Sequence, residues 1–384
     1  VHRLPREVYI LGSVSFLSDV ASEMVYPLLP LFLTGVLGAS AVAVGLIEGI
    51  AEATASLFKV VGGRLSDRAA ARRPFLLLGY GLPALLRPVL ALAQTPAHVL
   101  GFRFLDRMGK GLRTAPRDAL IAEAAPKEAY GRAYGLHRAM DTLGATLGPF
   151  LAFALLPLLD FRGVFWASAI PAALATLLIV FFLREKPRPR LPLPPLRFSS
   201  LSPAYRRFLL VAAIATLGLA SNAFLLLRLS DLGLNVAQTT LAYTAYNLLY
   251  ALLAFPLGSL ADRLGLRRMV MGGFAFHALA YLGFGLSSQP WHGVAWLLCY
   301  ALYSAAFEGS SRAYLASITP PQEKASAIGL YHTVTGLLLL PAGLLFGLLW
   351  ELLGPSWAFF TGSSLALLAL GLFWLDPTQR RSYT

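Results

Sequence analysis

Apolar residues run along this chain in blocks long enough to cross a bilayer, separated by short clusters of Arg, Pro, Gly and acidic residues. Runs such as LPALLRPVLALA (82–93) and GLLLLPAGLLFGLLW (336–350) lack the in-out alternation of a barrel strand. Only helices and closed barrels satisfy every backbone polar group in hydrocarbon, so these runs predict helices. A spanning helix takes about 20 residues. With turns added, about twelve spans consume nearly all of the 384 residues. The pattern predicts an all-α membrane protein with about twelve transmembrane helices and no room for a large soluble module.

Composition agrees. The chain is 57% hydrophobic and 13% charged, against about 25% charged in soluble domains. The net charge of +13 changes the picture only through its placement. Basic residues gather before the first span (Arg6), between spans two and three (Arg64, Arg68, Arg72, Arg73), between eight and nine (Arg263, Arg267, Arg268), and in the Pro/Arg-rich stretch of 184–207. The alternate loops near 34–42, 94–97, 157–163, 230–238, 287–292 and 351–356 hold one basic residue, Arg162. Basic loops stay in the cytoplasm, so the expected topology is multi-pass in the inner (cytoplasmic) membrane with both termini cytoplasmic. The charge reports orientation, and no nucleic-acid partner is expected. The first apolar run continues too far for a signal peptide and is followed by no cleavage site. The one cysteine, Cys299, falls within a predicted span and implies neither disulfide nor metal cage.

The chain also repeats itself. GRLSDR at Gly63–Arg68 recurs as GSLADR at Gly258–Arg263, an offset of 195 residues, and AYGLHR at Ala133 recurs as AIGLYH at Ala327, an offset of 194. Pro126 pairs with Pro320 at the same spacing. Two distant stretches with nearly one offset mean duplication. The expected organisation is a six-helix half over 1–183, a cytoplasmic extended linker over 184–207, and a second six-helix half over 208–384.

With those residues in view, the sequence resembles the major facilitator superfamily, and within it the twelve-helix, proton-coupled efflux group of bacteria. The family's loop motif G-x-L-[AS]-D-R-x-G-x-[RK]-[RK] is met by Gly63, Leu65, Asp67, Arg68, Arg72 and Arg73, with Ala70 in place of the second glycine. The second copy keeps Gly258, Leu260, Asp262, Arg263, Gly265, Arg267 and Arg268. The R-x-x-x-G pattern of the fourth helix is met by Arg107 and Gly111. The fifth-helix pattern of exporters is met by Gly135, Gly144, Gly148 and Pro149, followed by Ala152 and Phe153 where two small residues belong. The resemblance implies a two-repeat fold around a midplane site and alternating access. It also implies that Asp67 and its copy act in a cytoplasmic gate, and that protons are exchanged for exported cargo.

The charges inside the predicted spans carry the chemistry. Asp19 and Glu23 share a face of the first span, and Glu48 and Glu52 a face of the second. Arg107 and Arg113 lie in the fourth, Asp141 in the fifth beside His137 and Arg138, Arg228 in the seventh, and Glu308 with Arg312 in the tenth. Each charge facing lipid would cost about 2.5–3.5 kcal/mol on insertion scales, so they pair, protonate or line a wet cavity. A buried carboxylate beside another holds a proton readily, which makes Glu23 and then Asp19 the first candidates for proton coupling. His137 with Asp141 is too small a donor set for a metal site, and no cofactor is expected. His277 and His332 read as packed histidines. No P-loop GxxxxGK[ST] and no HExxH is present, which argues against direct ATP drive and against a membrane enzyme; a sensor would need an added signalling domain. The expectation is a secondary transporter, a monomer, moving a small solute outward with proton coupling. The alternative is symport or uptake of an anionic or metal-related solute.

Overall fold

The computed structural model describes residues 4–126, 129–185, 202–319 and 324–375. Among these residues there is no strand. Thirteen helices follow in order: α1 (Arg6–Val25), α2 (Leu29–Gly35), α3 (Ala41–Arg68), α4 (Arg73–Ala91), α5 (Pro96–Ala124), α6 (Tyr130–Phe182), α7 (Pro203–Leu217), α8 (Asn222–Asp231), α9 (Val236–Leu264), α10 (Leu266–Leu286), α11 (Pro290–Ser317), α12 (Lys324–Leu353) and α13 (Pro355–Trp374). They amount to twelve crossings. The pairs α1/α2 and α7/α8 are single crossings with a break, and α6 is two crossings joined by a bend.

Each interruption has a local cause. Pro27 cannot continue the i→i−4 ladder, so α1 stops at Val25 and the chain restarts at Leu29, with Pro30 in the first turn of α2. In α7 the helix ends at Gly218, and Ser221 caps α8 by accepting a hydrogen bond from the Ala223 N–H at 3.3 Å. The breaks at 26–28 and 218–221 stand about one repeat length apart. Within α6, Asp160 adopts φ 54°, and its carboxylate accepts from the N–H groups of Arg162 (2.8 Å) and Gly163 (3.1 Å). That local turn reverses the chain. Arg162, the one cation of the expected outer loops, donates to the Ala91 carbonyl at 2.5 Å and lies 5.4 Å from the Phe32 ring centroid.

Among the described residues, eight segments are long and apolar enough to cross a membrane, the doubled α6 among them. The helices α5, α9 and α11 are not in that group. Many large apolar side chains face outward, including Leu85, Leu158, Phe181, Trp291 and Leu352. A soluble monomer does not expose apolar surface on this scale; a bilayer-embedded one does.

The described residues form two compact units, one holding residues up to 39, 50–185 and 236–244, the other 40–49, 202–235 and 245–375. The units follow the two sequence halves except at the starts of α3 and α9. There the exchanged segments, 40–49 and 236–244, are themselves related by the repeat offset. Most of the expected linker, 186–201, lies outside the described residues; its last residues, from Pro203, are the first turn of α7. The first unit is held by a core of Val8, Leu11, Leu76, Tyr80, Ile121 and Ile179. The second has an aromatic counterpart in Phe208, Tyr314, Tyr331 and Phe373, with ring centroids 4.9–6.0 Å apart around Phe208.

The loop motif differs between its copies for a backbone reason. Gly265 bridges α9 and α10 at φ 91°, in the left-handed region that glycine enters freely. Ala70, its counterpart, has no positive φ. The first loop is longer and closes on side chains: Glu185 accepts from the N–H groups of Arg72 (2.7 and 2.8 Å) and Arg73 (2.7 Å), capping α4.

Candidate functional site

Helix α5 is the least apolar crossing because one face carries Arg103, Arg107, Lys110, Arg113 and Arg117 at steps of four, three, three and four. That spacing keeps all five in one stripe. Facing the stripe within the first unit are Asp19 and Glu23 on α1, Arg87 on α4, Glu52 on α3, and Asp141 on α6.

The glycines of α6 bring α1 against that helix. A methyl group on Gly144 would sit 2.6 Å from the Phe16 carbonyl oxygen and 3.0 Å from the Asp19 Cβ; on Gly148 it would sit 2.7 Å from the Glu23 Cβ. Small residues at this spacing let backbones approach, and here they seat the helix turn that carries both carboxylates. Gly135 has open space instead. Gly62 and Gly111 do the same between α3 and α5: Gly62 faces the Leu112 backbone at 2.7 Å and Gly111 the Ala55 carbonyl at 2.7 Å.

At the α1/α2 break these elements enclose a small pocket lined by Ser22, Glu23, Val25, Tyr26, Arg87, Phe102, Arg103, Asp106 and Arg107. Arg87, 2% exposed, donates to the Ala21 carbonyl at 2.7 Å and to the Ser22 hydroxyl at 3.1 Å, two groups next to the break. Arg103 lies over the Tyr26 ring, 5.7 Å from its centroid. Arg107 is 3.7 Å from a Glu52 oxygen and 3.9 Å from an Asp106 oxygen. Tyr243, from the start of α9, packs its ring against Tyr26 in a tilted arrangement with centroids 5.8 Å apart, and its hydroxyl lies 3.5 Å from the Glu23 carboxylate.

Deeper along the stripe the charges are tied to structure. Arg113 donates to the Gly79 carbonyl and the Ser18 hydroxyl, both at 2.9 Å, with its guanidinium 4.1 Å from the Tyr80 centroid. Arg117 pairs with Asp118 at 2.9 Å and donates to Ser15 at 3.1 Å. His137 lies 3.5 Å from Asp141. Among the described residues no group of three or more His, Cys, Asp or Glu is placed to hold a metal.

The candidates from the sequence therefore separate. Asp19, Glu23, Glu52, Arg107, Arg113 and Asp141 come together in the first unit. Glu48, 2% exposed, belongs to the second, where the Ser221 hydroxyl lies 3.4 Å from its carboxylate at the α7/α8 break. Glu308 and Arg312 pair at 3.8 Å, both about half exposed, and Glu308 also accepts from Tyr250 at 2.7 Å. Arg228 is held by Asp231 at 2.8 Å and by the Ser287 carbonyl at 2.7 Å. Sequence reasoning missed Arg87, Arg103, Asp106 and Lys110. It also missed the interior of the second unit, where Tyr281, Tyr300 and Tyr303 surround the buried His277 at centroid distances of 4.4–6.3 Å.

In the first copy of the loop motif, Asp67 bonds Arg72 at 2.7 Å, and Arg72 also bonds Glu123 on α5. Arg68 closes α3, and Gly63 faces Ala115 at 3.2 Å. In the second copy Gly258 has open space and Arg263 ends in the last turn of α9; the side chain of Asp262 lies outside the described residues.

Duplicated helices with paired breaks, and a charged pocket at one of them, recur in membrane transporters built from internal repeats. The chain matches the family profile of the Major Facilitator Superfamily over residues 11–228 and again over 207–383, and it belongs to that family. It is 34% identical over 377 residues to an uncharacterised MFS-type transporter of Methanocaldococcus jannaschii, covering 95% of this chain and 94% of the relative. It is 26% identical over 314 residues to the multidrug resistance protein MdtH of Edwardsiella ictaluri, covering 80% and 77%. Its fold is shared with the POT family transporter PepTSo, at a TM-score of 0.85, 12% identity and full coverage of both chains. The protein is a multi-pass membrane transporter with a small-molecule substrate, not an enzyme.

Proposed function

We propose that this transporter works by alternating access across the cytoplasmic membrane, with both termini cytoplasmic, and couples a small organic solute to protons through Glu23. The observation that carries the reading is the position of Glu23. It stands just before the α1/α2 break, seated on Gly148, in a pocket shared with Arg87, Arg103, Asp106 and Arg107. A carboxylate there meets cargo, and a helix break is where local movement is least costly. Asp67, with Arg72 and Glu123, is the corresponding element of the cytoplasmic gate.

Export is the direction supported by the glycine pattern of α6 and by the name of the MdtH relative. A second reading, symport of an anionic solute, is supported by the cationic lining of the pocket. The two differ in what Glu23 does: in exchange, proton and cargo displace one another, whereas in symport they are held together.

The test is accumulation in proteoliposomes under an imposed pH gradient, using a cargo found by a thermal-stabilisation screen. Glu23→Gln and Asp19→Asn are expected to abolish accumulation while leaving downhill exchange. If Asp19, Glu23, Glu48 and Glu52 each tolerate neutral substitution with full driven transport, coupling resides elsewhere, with Asp141 and Glu308 next.

A further inference from the structure

We propose that Tyr281 is a positioning residue that clasps the α7/α8 break, in the place where Arg87 clasps the α1/α2 break of the first half. Each half then carries its own catch on its broken helix, whichever residue carries the proton.

Arg87 on α4 and Tyr281 on α10 are 194 residues apart, the offset of the AYGLHR and AIGLYH stretches. Three pairs of contacts, each made within its own unit, keep α4 and α10 in this register. A methyl group on Gly79 would lie 2.5 Å from the Arg113 Cβ, and one on Gly273 2.9 Å from the Phe307 Cβ. A methyl group on Gly109 would lie 3.0 Å from the Pro83 ring, and at the matching positions the ring centroids of Tyr303 and His277 stand 4.9 Å apart. Arg87 lies 3.5 Å from the Ser168 hydroxyl. The counterpart of Ser168 is Gly362, where a methyl group would meet the Tyr281 ring at 2.6 Å. Every residue in these contacts has its counterpart at the one offset.

A break inside a crossing leaves backbone polar groups without helical partners, and hydrocarbon offers them none. At the first break Arg87 donates with two arms, to the Ala21 carbonyl at 2.7 Å and the Ser22 hydroxyl at 3.1 Å. At the second, the Ala220 N–H donates to the Tyr281 hydroxyl at 3.0 Å, and that hydroxyl lies 3.4 Å from the Ala220 carbonyl oxygen. Ala220 is 3% exposed, so the phenol takes the place of water for its N–H. The Tyr281 ring is fixed edge-on by His277 at 4.4 Å and Phe359 at 5.3 Å. Gly362 leaves room for that ring and also meets the end of α7, where its methyl group would lie 2.6 Å from the Gly218 carbonyl oxygen. Ser221 follows Ala220, caps α8 and faces Glu48, so the clasp sets where that hydroxyl stands. Hinges are a few element-terminal residues that absorb backbone change, and both catches grip residues of that kind.

The experiment follows hydrogen–deuterium exchange of the full-length protein in nanodiscs, with no cargo added, at residues 218–221 and 22–28, together with thermal unfolding. Tyr281→Phe removes the hydroxyl and keeps the ring. It is expected to speed exchange at 218–221 on the order of ten-fold, the factor that loss of one buried hydrogen bond supplies. Exchange at 22–28 is expected to stay at the wild-type rate, and the unfolding midpoint to move by about 2 °C or less. Arg87→Lys keeps the charge beside Asp106 but loses the two-armed fork. It is expected to speed exchange at 22–28 several-fold and to leave 218–221 unchanged. Wild-type protection at 218–221 in Tyr281→Phe overturns the clasp. A large fall in midpoint with exchange raised throughout the second unit makes Tyr281 a packing residue and overturns its positioning role. Wild-type protection at 22–28 in Arg87→Lys, or exchange raised at both breaks by either variant, overturns the equivalence of the two catches.

Discussion

Gly148 on α6 and Glu23 on α1 touch backbone to side-chain root: a methyl group on the glycine would lie 2.7 Å from the Glu23 Cβ and 2.7 Å from the Val20 carbonyl oxygen. The glycine fixes how deep the carboxylate sits beside the cationic stripe of α5. Gly148→Ala therefore forces α1 away from α6. It is expected to lower stability by roughly 1–3 kcal/mol, as overpacking does, and to reduce transport along with it. Gly135→Ala, which meets nothing within 4 Å, is expected to be neutral or to gain up to about 1 kcal/mol from helix propensity. Thermal unfolding in nanodiscs checks the contrast. Equal effects at both positions would mean that the close seam is not what holds Glu23.

The two loop motifs respond differently to loss of glycine character. Gly265 is held at φ 91°, where a side chain costs about 1–2 kcal/mol. Gly265→Ala is expected to lower the unfolding midpoint measurably, while Ala70→Gly changes little because Ala70 needs no such conformation. The same thermal measurement decides it.

Within the first motif, Arg72 is the hub. Its side chain is 7% exposed and bonds both Asp67 and Glu123, while its N–H is capped by Glu185. Asp67 is 44% exposed, so its pairing is solvent-screened and Asp67→Asn is expected to cost less than about 1 kcal/mol. Arg72→Gln removes both pairings, but Asp67 and Glu123 are nearly half exposed and stay solvated, so it is expected to cost about 1–2 kcal/mol. If gating depends on Asp67, Asp67→Asn slows turnover and raises cytoplasmic-side accessibility despite its small effect on unfolding. A variant with unchanged rate and accessibility leaves Asp67 as a surface ion pair.

Topology has its own test. In a Cys299→Ser background, cysteines at Gly38 and Ser288 are expected to react with an impermeant thiol reagent on intact cells, and cysteines at Arg190 and Ala71 are not. Reaction at Arg190 would invert the orientation derived from loop charge.

The crossings were legible because lipid demands long apolar runs, and the duplication because turn and charge residues recur at one offset. The breaks at Pro27 and Gly218 were not singled out, although the Tyr26-Pro27 pair was a signal. The site was legible only in part. Asp19, Glu23 and Arg107 announced themselves as charges in apolar surroundings. Arg87 sits inside a run that reads as plain span, and Glu123 and Glu185 lie far in sequence from the Arg72 they bind. Such pairings are set by tertiary packing, which periodicity along one helix does not encode. The spacing of Arg103, Arg107, Lys110, Arg113 and Arg117 was the available clue to the stripe.

Whether Glu23 carries the proton is read from lumenal pH in proteoliposomes. A downhill gradient of cargo is imposed with no pH gradient, and a trapped pH dye is followed together with cargo flux. In the wild type, cargo movement is expected to change the lumenal pH, acidifying it if proton and cargo enter together. In Glu23→Gln, cargo is expected to equilibrate with the lumenal pH unchanged. A Glu23→Gln protein that still moves protons with cargo at the wild-type ratio would rule out Glu23 as the proton carrier.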